Sequence, residues 1–154
     1  MRIPRALFGV VKEAARHLLR RPVVGVAALA RTEDGRVVLI RRGDTGEWAL
    51  PGGTLEWGEL LRASIERELL EEAGVRVLEL EDGPSVYSHP SRDLRFHAVT
   101  IVVRATVSAP ERPPANPLEI LEVGLFERDA LPAPLAHAMS DMVAHALEGR
   151  GYWE

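Results

Sequence analysis

The chain has 154 residues, of which 46% are hydrophobic, a size that fits one domain with a core and leaves little room for a second. Its formal net charge of −4 argues against a protein that binds nucleic acid through a broad basic surface. Because the chain contains no cysteine, disulfides, thiolate metal sites and cysteine nucleophiles are excluded.

The first twenty residues mix apolar side chains with cationic ones. They are too charged to cross a bilayer or to form the apolar part of a secretory signal, so they predict an amphipathic helix. We expect a homodimer with this helix at its interface, because its apolar face would otherwise be an exposed patch. Packing on its own domain and binding to a membrane surface are the alternatives. Without a targeting signal, the expected location is cytoplasmic, with neither membrane nor nucleic acid as a partner.

Two apolar runs, residues 23–29 and 37–40, flank the turn sequence Glu-Asp-Gly-Arg at 33–36. Apolar runs separated by Asp-Gly turn chemistry are typical of a β-hairpin. A short strand that starts at Trp48 then leads into a glycine loop at 51–53.

Residues 58–73 carry helix formers without a proline and predict a helix that Gly74 ends. The elements expected after it are strands at 75–80, 86–89, 96–107 and 118–126, an exposed proline-rich loop at 108–117 and a final helix at 134–147. This order predicts the α+β class: a single domain over residues 1–154 with a mixed β-sheet flanked by helices.

Two glutamates of the central helix lie on its apolar side, where a solvent-exposed acidic face would not be expected. Leu61, Ile65 and Leu69 share one stripe of the helix at about 100° per residue, and Glu72 lies within the arc of that stripe, with Glu68 at its edge. A solvated acidic face would lie opposite the stripe. Because burial of an unpaired carboxylate is costly, these side chains are expected to have a cationic partner.

Glu68, Glu71 and Glu72 stand at positions i, i+3 and i+4 of this helix, so their oxygens can converge on one point. Hard oxygen ligands of this kind suit Mg²⁺, or Mn²⁺ in its place, rather than zinc. Repulsion among three adjacent carboxylates also predicts that metal binding stabilises the fold.

A motif of fixed spacing spans residues 53–75. Its positions are Gly53-x5-Glu59-x7-Arg67-Glu68-Leu69-x-Glu71-Glu72-x-Gly74-Val75. At every specified position this pattern resembles the Nudix box, and the preceding Gly52 fits as well. The chain is therefore similar to the Nudix hydrolases, and the resemblance implies their α/β/α sandwich.

The resemblance also implies roles for individual residues. Glu68 and Glu72 resemble the principal metal ligands, with Glu71 in the same cluster and the carbonyl of Gly52 as a backbone ligand. Arg67 resembles the residue that orients the glutamates.

Glu59 resembles the acidic residue that supports the corner between loop and helix, although a favourable charge near a helix N-terminus explains it as well. Glu68 is a general base in some members, whereas in others the base lies on a later loop. Glu119 and Glu122 follow the proline-rich loop at about that place, and either could be the extra ligand or base. A solubility role at a strand edge explains a lone glutamate equally well.

The implied reaction is attack of water on one phosphorus of a diphosphate, assisted by metal ions. The expected substrate is a nucleoside diphosphate linked to another moiety, such as ADP-ribose or a nucleoside diphosphate sugar. One alternative is a nucleoside triphosphate pyrophosphatase that uses the same glutamates. The other is a Nudix-fold sensor that binds a nucleotide without turnover.

The substrate class rests on the stretch 87–97, which resembles the ADP-ribose and nucleotide-sugar group, with a proline fifteen residues past Val75. Three cationic or imidazole side chains in it could meet phosphate or ribose oxygens, and a plain surface loop explains them as well. They are Arg92, Arg95 and His97. The aromatic candidates for stacking on a base or facing a sugar are Trp48, Trp57 and Tyr87, for which core packing is the other explanation.

Overall fold

A computed structural model describes residues 21–93 and 95–154; the helix predicted for residues 1–20 lies outside the described residues. The strands are β1 (Val23–Thr32), β2 (Val37–Arg42), β3 (Trp48–Ala49), β4 (Gly52–Thr54), β5 (Val77–Leu80), β6 (Ser85–Tyr87), β7 (Ala98–Val107) and β8 (Ile120–Phe126). The helices are α1 (Leu61–Glu68), which continues into a π-helical turn (Leu69–Ala73), a 3₁₀ turn (Ala136–Ala138) and α2 (Ser140–Leu147). Within the described ranges, no helix is long and apolar enough to cross a membrane.

In the described part of the chain, eight strands form one mixed sheet in the order β3-β2-β1-β7-β5, with β4 on β1, β6 on β7 and β8 on β2. The central strands β1 and β7 run parallel over ten residue pairs, from Val23 with Ala98 to Thr32 with Val107. Parallel strands are covered on both faces, and this explains the unbroken apolar run of β1. The predicted hairpin of β1 and β2 is confirmed as an antiparallel pair.

Alternate residues of the central strands point into two separate cores. Val26, Ala28, Val38 and Ile40 join the core that Ile65 and Leu69 of the central helix complete. Ala27, Leu29, Val37 and Leu39 join a second core, which Met142, Val143 and Ala146 of α2 complete. The sheet is therefore sandwiched between helices, and the predicted α+β architecture is confirmed.

The central helix begins later than the sequence predicts. It starts at Leu61 rather than at residue 58, because Gly58 has a φ of 80° and the Glu59 side chain is bound to the backbone N–H of Glu56 instead. Gly74 ends the helix in the left-handed conformation, with φ of 67°, as predicted.

Three later elements also differ from the predictions. Strand β6 stops at Tyr87, because the backbone N–H groups of Ser88 and His89 donate to the Glu154 carboxylate. Strand β8 begins at Ile120, since residues 117–119 form a turn. The final α-helix begins at Ser140 rather than at residue 134, because two residues before it have positive φ.

Candidate active site

A cavity of about 480 Å³ opens beside the central helix. Several of its lining residues are charged: Arg42, Arg67, Glu68, Glu71, Glu72, Arg92, Asp93, Arg95 and Glu119. We call Glu68, Glu71 and Glu72 the carboxylate wall, and Arg92, Asp93, Arg95 and His137 the clamp wall. All seven residues of the two walls line the same cavity.

Two glycines let the carboxylate wall lie directly against the sheet. The N–H of Gly52 donates to Oε2 of Glu72 over 2.7 Å. A Cβ at Gly52 would collide with the carbonyl of Val26, and one at Gly53 would collide with the Glu68 carboxylate. Gly53 thus leaves room for the Glu68 carboxylate, and Gly52 allows β4 to lie close to Val26 of β1. Both glycines belong to strand β4 rather than to a free loop.

The end of α1 and the π-helical turn that follows it present two of the three glutamates inward. Leu69 and Ala73 are fully buried in the core and anchor the turn. Glu68 is 9% exposed and Glu72 is 7% exposed, whereas Glu71 is exposed to solvent. The inference that Glu72 and Glu68 fall on the buried side of this helix matches their positions.

Burial of these carboxylates has an electrostatic consequence. It raises the pKa of Glu72 to about 8, with the nearby Glu68 charge adding to the shift. Burial also raises the pKa of Glu68, against the opposing effect of Arg67. With a pKa of about 8, the Glu72 carboxyl is ionised at neutral pH only when a cation lies beside it. Among the described residues, the hydrogen-bond partner of the Glu72 carboxylate is the backbone N–H of Gly52.

Arg67 organises the outer edge of the carboxylate wall. Its Nε and Nη2 donate to the two Glu59 oxygens over 2.8 and 3.0 Å, and Nη1 donates to Glu68 over 2.9 Å and reaches Glu71 at 3.5 Å. The hydrogen bond from Arg67 lowers the pKa of Glu59 to about 2. Glu59 therefore stays ionised and holds the guanidinium in one orientation between the glutamates.

The donor set suits a hard divalent cation. Glu68, Glu71 and Glu72 offer carboxylate oxygens to the cavity, where Glu119 adds a fourth, and oxygen ligands are those that Mg²⁺ and Mn²⁺ prefer. Among residues 21–93 and 95–154, no three such groups are already gathered at coordinating distance. Because Glu71 is exposed, its side chain is free to turn toward an incoming ion.

The two later glutamates lie in different places. Glu119 lines the cavity, and its charge contributes to the raised pKa values of Glu68 and Glu72. Glu122 lies on β8, where it faces Arg41 at 3.5 Å, and it is not among the lining residues. Of the two candidates for an additional base or ligand, the structure brings Glu119 to the site.

Arg92 lines the cavity, but protein acceptors take all its donors. They reach Asp141 over 2.9 and 2.6 Å, Glu154 over 2.9 and 2.7 Å and the carbonyl of Ala138 over 3.1 Å. The guanidinium also lies over the Tyr87 ring, 4.7 Å from its centroid. Five N–H groups are thus satisfied, so direct contact with a substrate phosphate would require Arg92 to give up existing bonds.

The other two members of the predicted cationic group are also paired. Arg95 lines the cavity and binds both Asp93 oxygens over 3.0 and 2.7 Å, with Asp44 at 3.3 Å. His97 is exposed and does not line the cavity, and its Nε2 lies 2.8 Å from the carbonyl oxygen of Ser88.

The three aromatic candidates lie outside the cavity lining. Tyr87 is fully buried, with its hydroxyl 3.0 Å from Nδ1 of His145. Trp48 packs edge-on against Phe126 at 4.9 Å between ring centroids, and Trp57 is fully exposed. The contacts of Trp48 and Tyr87 agree with the alternative explanation that these side chains pack in a core.

Sequence reasoning missed three cavity residues. Arg42 follows the apolar part of β2, and Asp44 holds it through two bonds of 2.9 Å. Asp93 and His137 come from segments 44 residues apart and meet at the clamp wall, with 4.0 Å between Asp93 Oδ2 and His137 Nδ1. No local sequence pattern predicts that Asp93 and His137 lie together. The charged run 92–95 is the one sequence feature that points to this part of the site.

The chain shares its sequence pattern and fold with proteins of one known family. The NUDIX domain model matches residues 20–146. A MutT-like protein of Streptomyces ambofaciens is 34% identical over 128 residues, which cover 83% of this chain and 79% of that protein. The crystal structure of a MutT NUDIX hydrolase from Burkholderia pseudomallei superposes with a TM-score of 0.69 at 32% identity, covering 81% of this chain and 98% of that one.

An ADP-ribose pyrophosphatase of Methanocaldococcus jannaschii is 36% identical over 88 residues, covering 55% of this chain and 51% of that protein. The fold and the carboxylate wall thus define an enzyme that acts on phosphorus-containing anhydrides. The chain belongs to the Nudix hydrolase family.

Proposed function

We propose that this enzyme hydrolyses, with Mg²⁺ or Mn²⁺, the diphosphate bond of a nucleoside diphosphate linked to another moiety, of the ADP-ribose or nucleotide-sugar kind. The products are a nucleoside monophosphate and a sugar phosphate. The observation that carries the proposal is the burial of Glu68 and Glu72 beside Gly52 in a cavity about 480 Å³ in volume. That volume falls within the range typical of small-molecule sites.

In the proposed site, Glu68, Glu71, Glu72 and the carbonyl of Gly52 would hold the metal. A divalent cation bound there would supply positive charge to the diphosphate and make the attacking water more acidic. Buried carboxylates with raised pKa values are suited to binding such an ion, because the charge of the ion offsets the repulsion between them.

The chain's own residues position the reaction. Arg67 keeps Glu68 in place through the 2.9 Å bond and is itself held by Glu59. Glu119 serves as the base that accepts a proton from the attacking water, since it lines the cavity. Water adds to one phosphorus, the bond from that phosphorus to the bridging oxygen breaks, and the bridging oxygen leaves with the other phosphate.

The choice of substrate class is supported by the relative from Methanocaldococcus jannaschii, which is named an ADP-ribose pyrophosphatase. The 87–97 stretch gives this substrate class weaker support. Arg92 is already paired with carboxylates, and His97 lies outside the cavity lining. Arg95 is therefore the member of the predicted cationic group whose half-exposed side chain lies in the cavity.

The test is hydrolysis of ADP-ribose, several nucleoside diphosphate sugars and several nucleoside triphosphates with Mg²⁺, with product identification in ¹⁸O-labelled water. We expect the diphosphate-linked substrates to be split and the label to mark the phosphorus that water attacks. Glu72→Gln should lower kcat by about 10³-fold, because it removes a charged ligand at the reacting centre.

Glu66→Gln is the matched control. Glu66 lies on the same helix but is exposed and pairs with Arg62, so its activity should stay within about twofold of wild type. Cleavage of triphosphates alone, to a monophosphate and pyrophosphate, would reject the substrate class and keep the site. Nucleotide binding without any product would favour a sensor.

Three broader predictions accompany this function: a single domain over residues 1–154, a cytoplasmic location and a homodimer with residues 1–20 at its interface. Light scattering of a chain that lacks residues 1–20 tests the last of these. If the shortened chain forms an oligomer with the same number of subunits as the full chain, this prediction is rejected.

A further inference from the structure

The clamp wall holds a pair of polar groups that the reaction above does not use. His137 Nδ1 and Asp93 Oδ2 are 4.0 Å apart, too far for a direct hydrogen bond. Both side chains are mostly buried, with exposures of 18% and 12%, and both line the cavity. The separation leaves a gap between two groups that face the same space.

The gap has the size of one oxygen atom. An oxygen about 2.8 Å from both atoms would bridge them with an angle of roughly 90° at the oxygen. A hydroxyl suits this position, because it can accept a hydrogen bond from the imidazole N–H while donating its own hydrogen to the carboxylate.

Charge supports the same arrangement. The hydrogen bond from Arg95 lowers the pKa of Asp93, so this carboxylate is an acceptor. Burial, with the charges of Arg42 and Arg95, lowers the pKa of His137, so its ring is neutral at neutral pH. A neutral imidazole beside a carboxylate lacks the attraction that would close the gap, and a neutral hydroxyl fits it without a desolvated charge.

Both groups are held in place before any ligand arrives. Arg95 binds Asp93 through two side-chain bonds of 3.0 and 2.7 Å. Arg92 donates to the carbonyl of Ala138 over 3.1 Å and so fixes the segment that carries the imidazole. His137 and Ala138 have φ values of 53° and 52°, a conformation that residues other than glycine keep only where the surroundings enforce it.

The imidazole also has an unmatched atom. His137 Nε2 is buried and has no hydrogen-bond partner among the described residues. A histidine that serves packing alone would be expected to satisfy at least one ring nitrogen within the protein. Core packing therefore explains neither the positive φ of His137 nor the presence of a polar ring at this position.

We propose that Asp93 and His137 form a hydroxyl-binding subsite that selects substrates carrying a sugar hydroxyl at this position. The inference rests on the proposed function, because it takes the sugar-linked diphosphate as the molecule in the cavity. The hydroxyl belongs either to the ribose of the nucleoside or to the sugar beyond the diphosphate.

The test compares ADP-ribose with two analogues, one with 2′-deoxyadenosine and one with 2-deoxyribose beyond the diphosphate. We expect wild type to favour ADP-ribose about tenfold in kcat/KM over one of them, mostly through KM, as for the loss of a hydrogen bond to a charged group. Which analogue is disfavoured identifies the sugar. His137→Phe and Asp93→Asn should each reduce that preference to about twofold or less.

The preference ratio separates a binding role from a structural one, since a general loss of packing lowers the rates for all three substrates alike. His89→Phe is the control, because His89 is exposed on the adjacent loop and outside the cavity lining, and it should keep the full preference. If His137→Phe does not fold, His137→Asn replaces it, since asparagine tolerates positive φ. An unchanged ratio in the folded variants would reject the subsite.

Failure of the proposed function gives a different result. If wild type splits no diphosphate-linked substrate, calorimetry compares AMP with 2′-deoxy-AMP and ribose 5-phosphate with 2-deoxyribose 5-phosphate, on wild type and His137→Phe. A preference for one hydroxyl-bearing ligand that the variant loses supports the subsite without the reaction. Equal binding within each pair, or no binding to wild type, overturns it.

Discussion

The carboxylate wall and the clamp wall face the same cavity but differ in how their charges are balanced. In the carboxylate wall, Glu68, Glu71 and the neighbouring Glu59 share the guanidinium of Arg67, and Glu72 relies on a backbone N–H. In the clamp wall, Arg92 and Arg95 are each bound by at least two carboxylates. The carboxylate wall has more negative than positive charge, because one guanidinium serves several carboxylates, whereas the charges of the clamp wall are neutralised within the protein.

This difference assigns different tasks to the two walls. A wall with unbalanced charge gains stability when a cation binds, so its geometry is completed by the ligand. A wall whose ions already pair with each other gains little from further charge and contributes shape and a few oriented polar groups instead.

The largest effect concerns the additional base. Glu119→Gln should lower kcat by about 10²-fold with a small change in KM, because a base that takes a proton from water typically contributes this much. Glu122→Gln should stay within about twofold, since that side chain pairs with Arg41 outside the cavity lining. Steady-state kinetics on both variants measures this, and a larger loss for Glu122→Gln would exchange their roles.

A smaller effect is expected in the clamp wall, on stability. Arg92→Met should lower the free energy of unfolding by about 2 kcal/mol, because Asp141 and Glu154 lose their shared partner and Arg92 is only 16% exposed. Arg150→Met, whose side chain is 81% exposed beside Glu148, is the control and should change stability by less than about 0.5 kcal/mol. Denaturant unfolding measures both. A fully stable but inactive Arg92→Met would mean that Arg92 binds substrate directly.

The smallest effect is a pH dependence of the metal-free enzyme. The folded-state pKa of Glu72 is raised from 4.5 to about 8, so the folded protein binds more protons than the unfolded chain between these values. Stability contributed by the protonated form is therefore lost as pH rises through this window. We expect the metal-free Tm to fall by roughly 5 °C between about pH 6.5 and pH 8.

Two controls define this pH effect. Added Mg²⁺ should remove most of the loss, because the ion favours the ionised carboxylates, and Glu72→Gln should flatten the metal-free profile, since an amide does not titrate. A profile that is already flat in the metal-free wild type would show that Glu72 is not strained by burial.

The carboxylate wall could be predicted from the sequence because it is local. The spacing of Leu61, Ile65 and Leu69 sets the buried stripe, and the glutamate positions relative to it follow from helix geometry alone. The order of elements predicts the mixed sheet flanked by helices, and the family resemblance implies the α/β/α sandwich. The later start of the helix could not be predicted, because the left-handed Gly58 and the bond from Glu59 to the backbone depend on how the loop folds.

The clamp wall could not be predicted, because its contacts join distant segments. Arg92 meets Asp141 across 49 residues and Glu154 across 62. In the sequence alone, such a charged loop residue has no visible partner, and a substrate contact is one explanation for it. The same holds for Tyr87, because its partner His145 lies 58 residues along the chain and the fold is needed to show that the ring is part of a core.

The π-helical turn at Leu69–Ala73 makes the length of the box as important as its chemistry. Gly74 ends the turn against the backbone of Arg112, where a Cβ would collide, so the end of the turn is fixed in space. Substitutions within the turn change side-chain size, but the loss of a residue such as Leu70 would change the spacing of Glu68 from Glu71 and Glu72 to two and three positions. Because residues two positions apart do not face each other on a helix, such a deletion would separate Glu68 from Glu71 while leaving every glutamate in the chain.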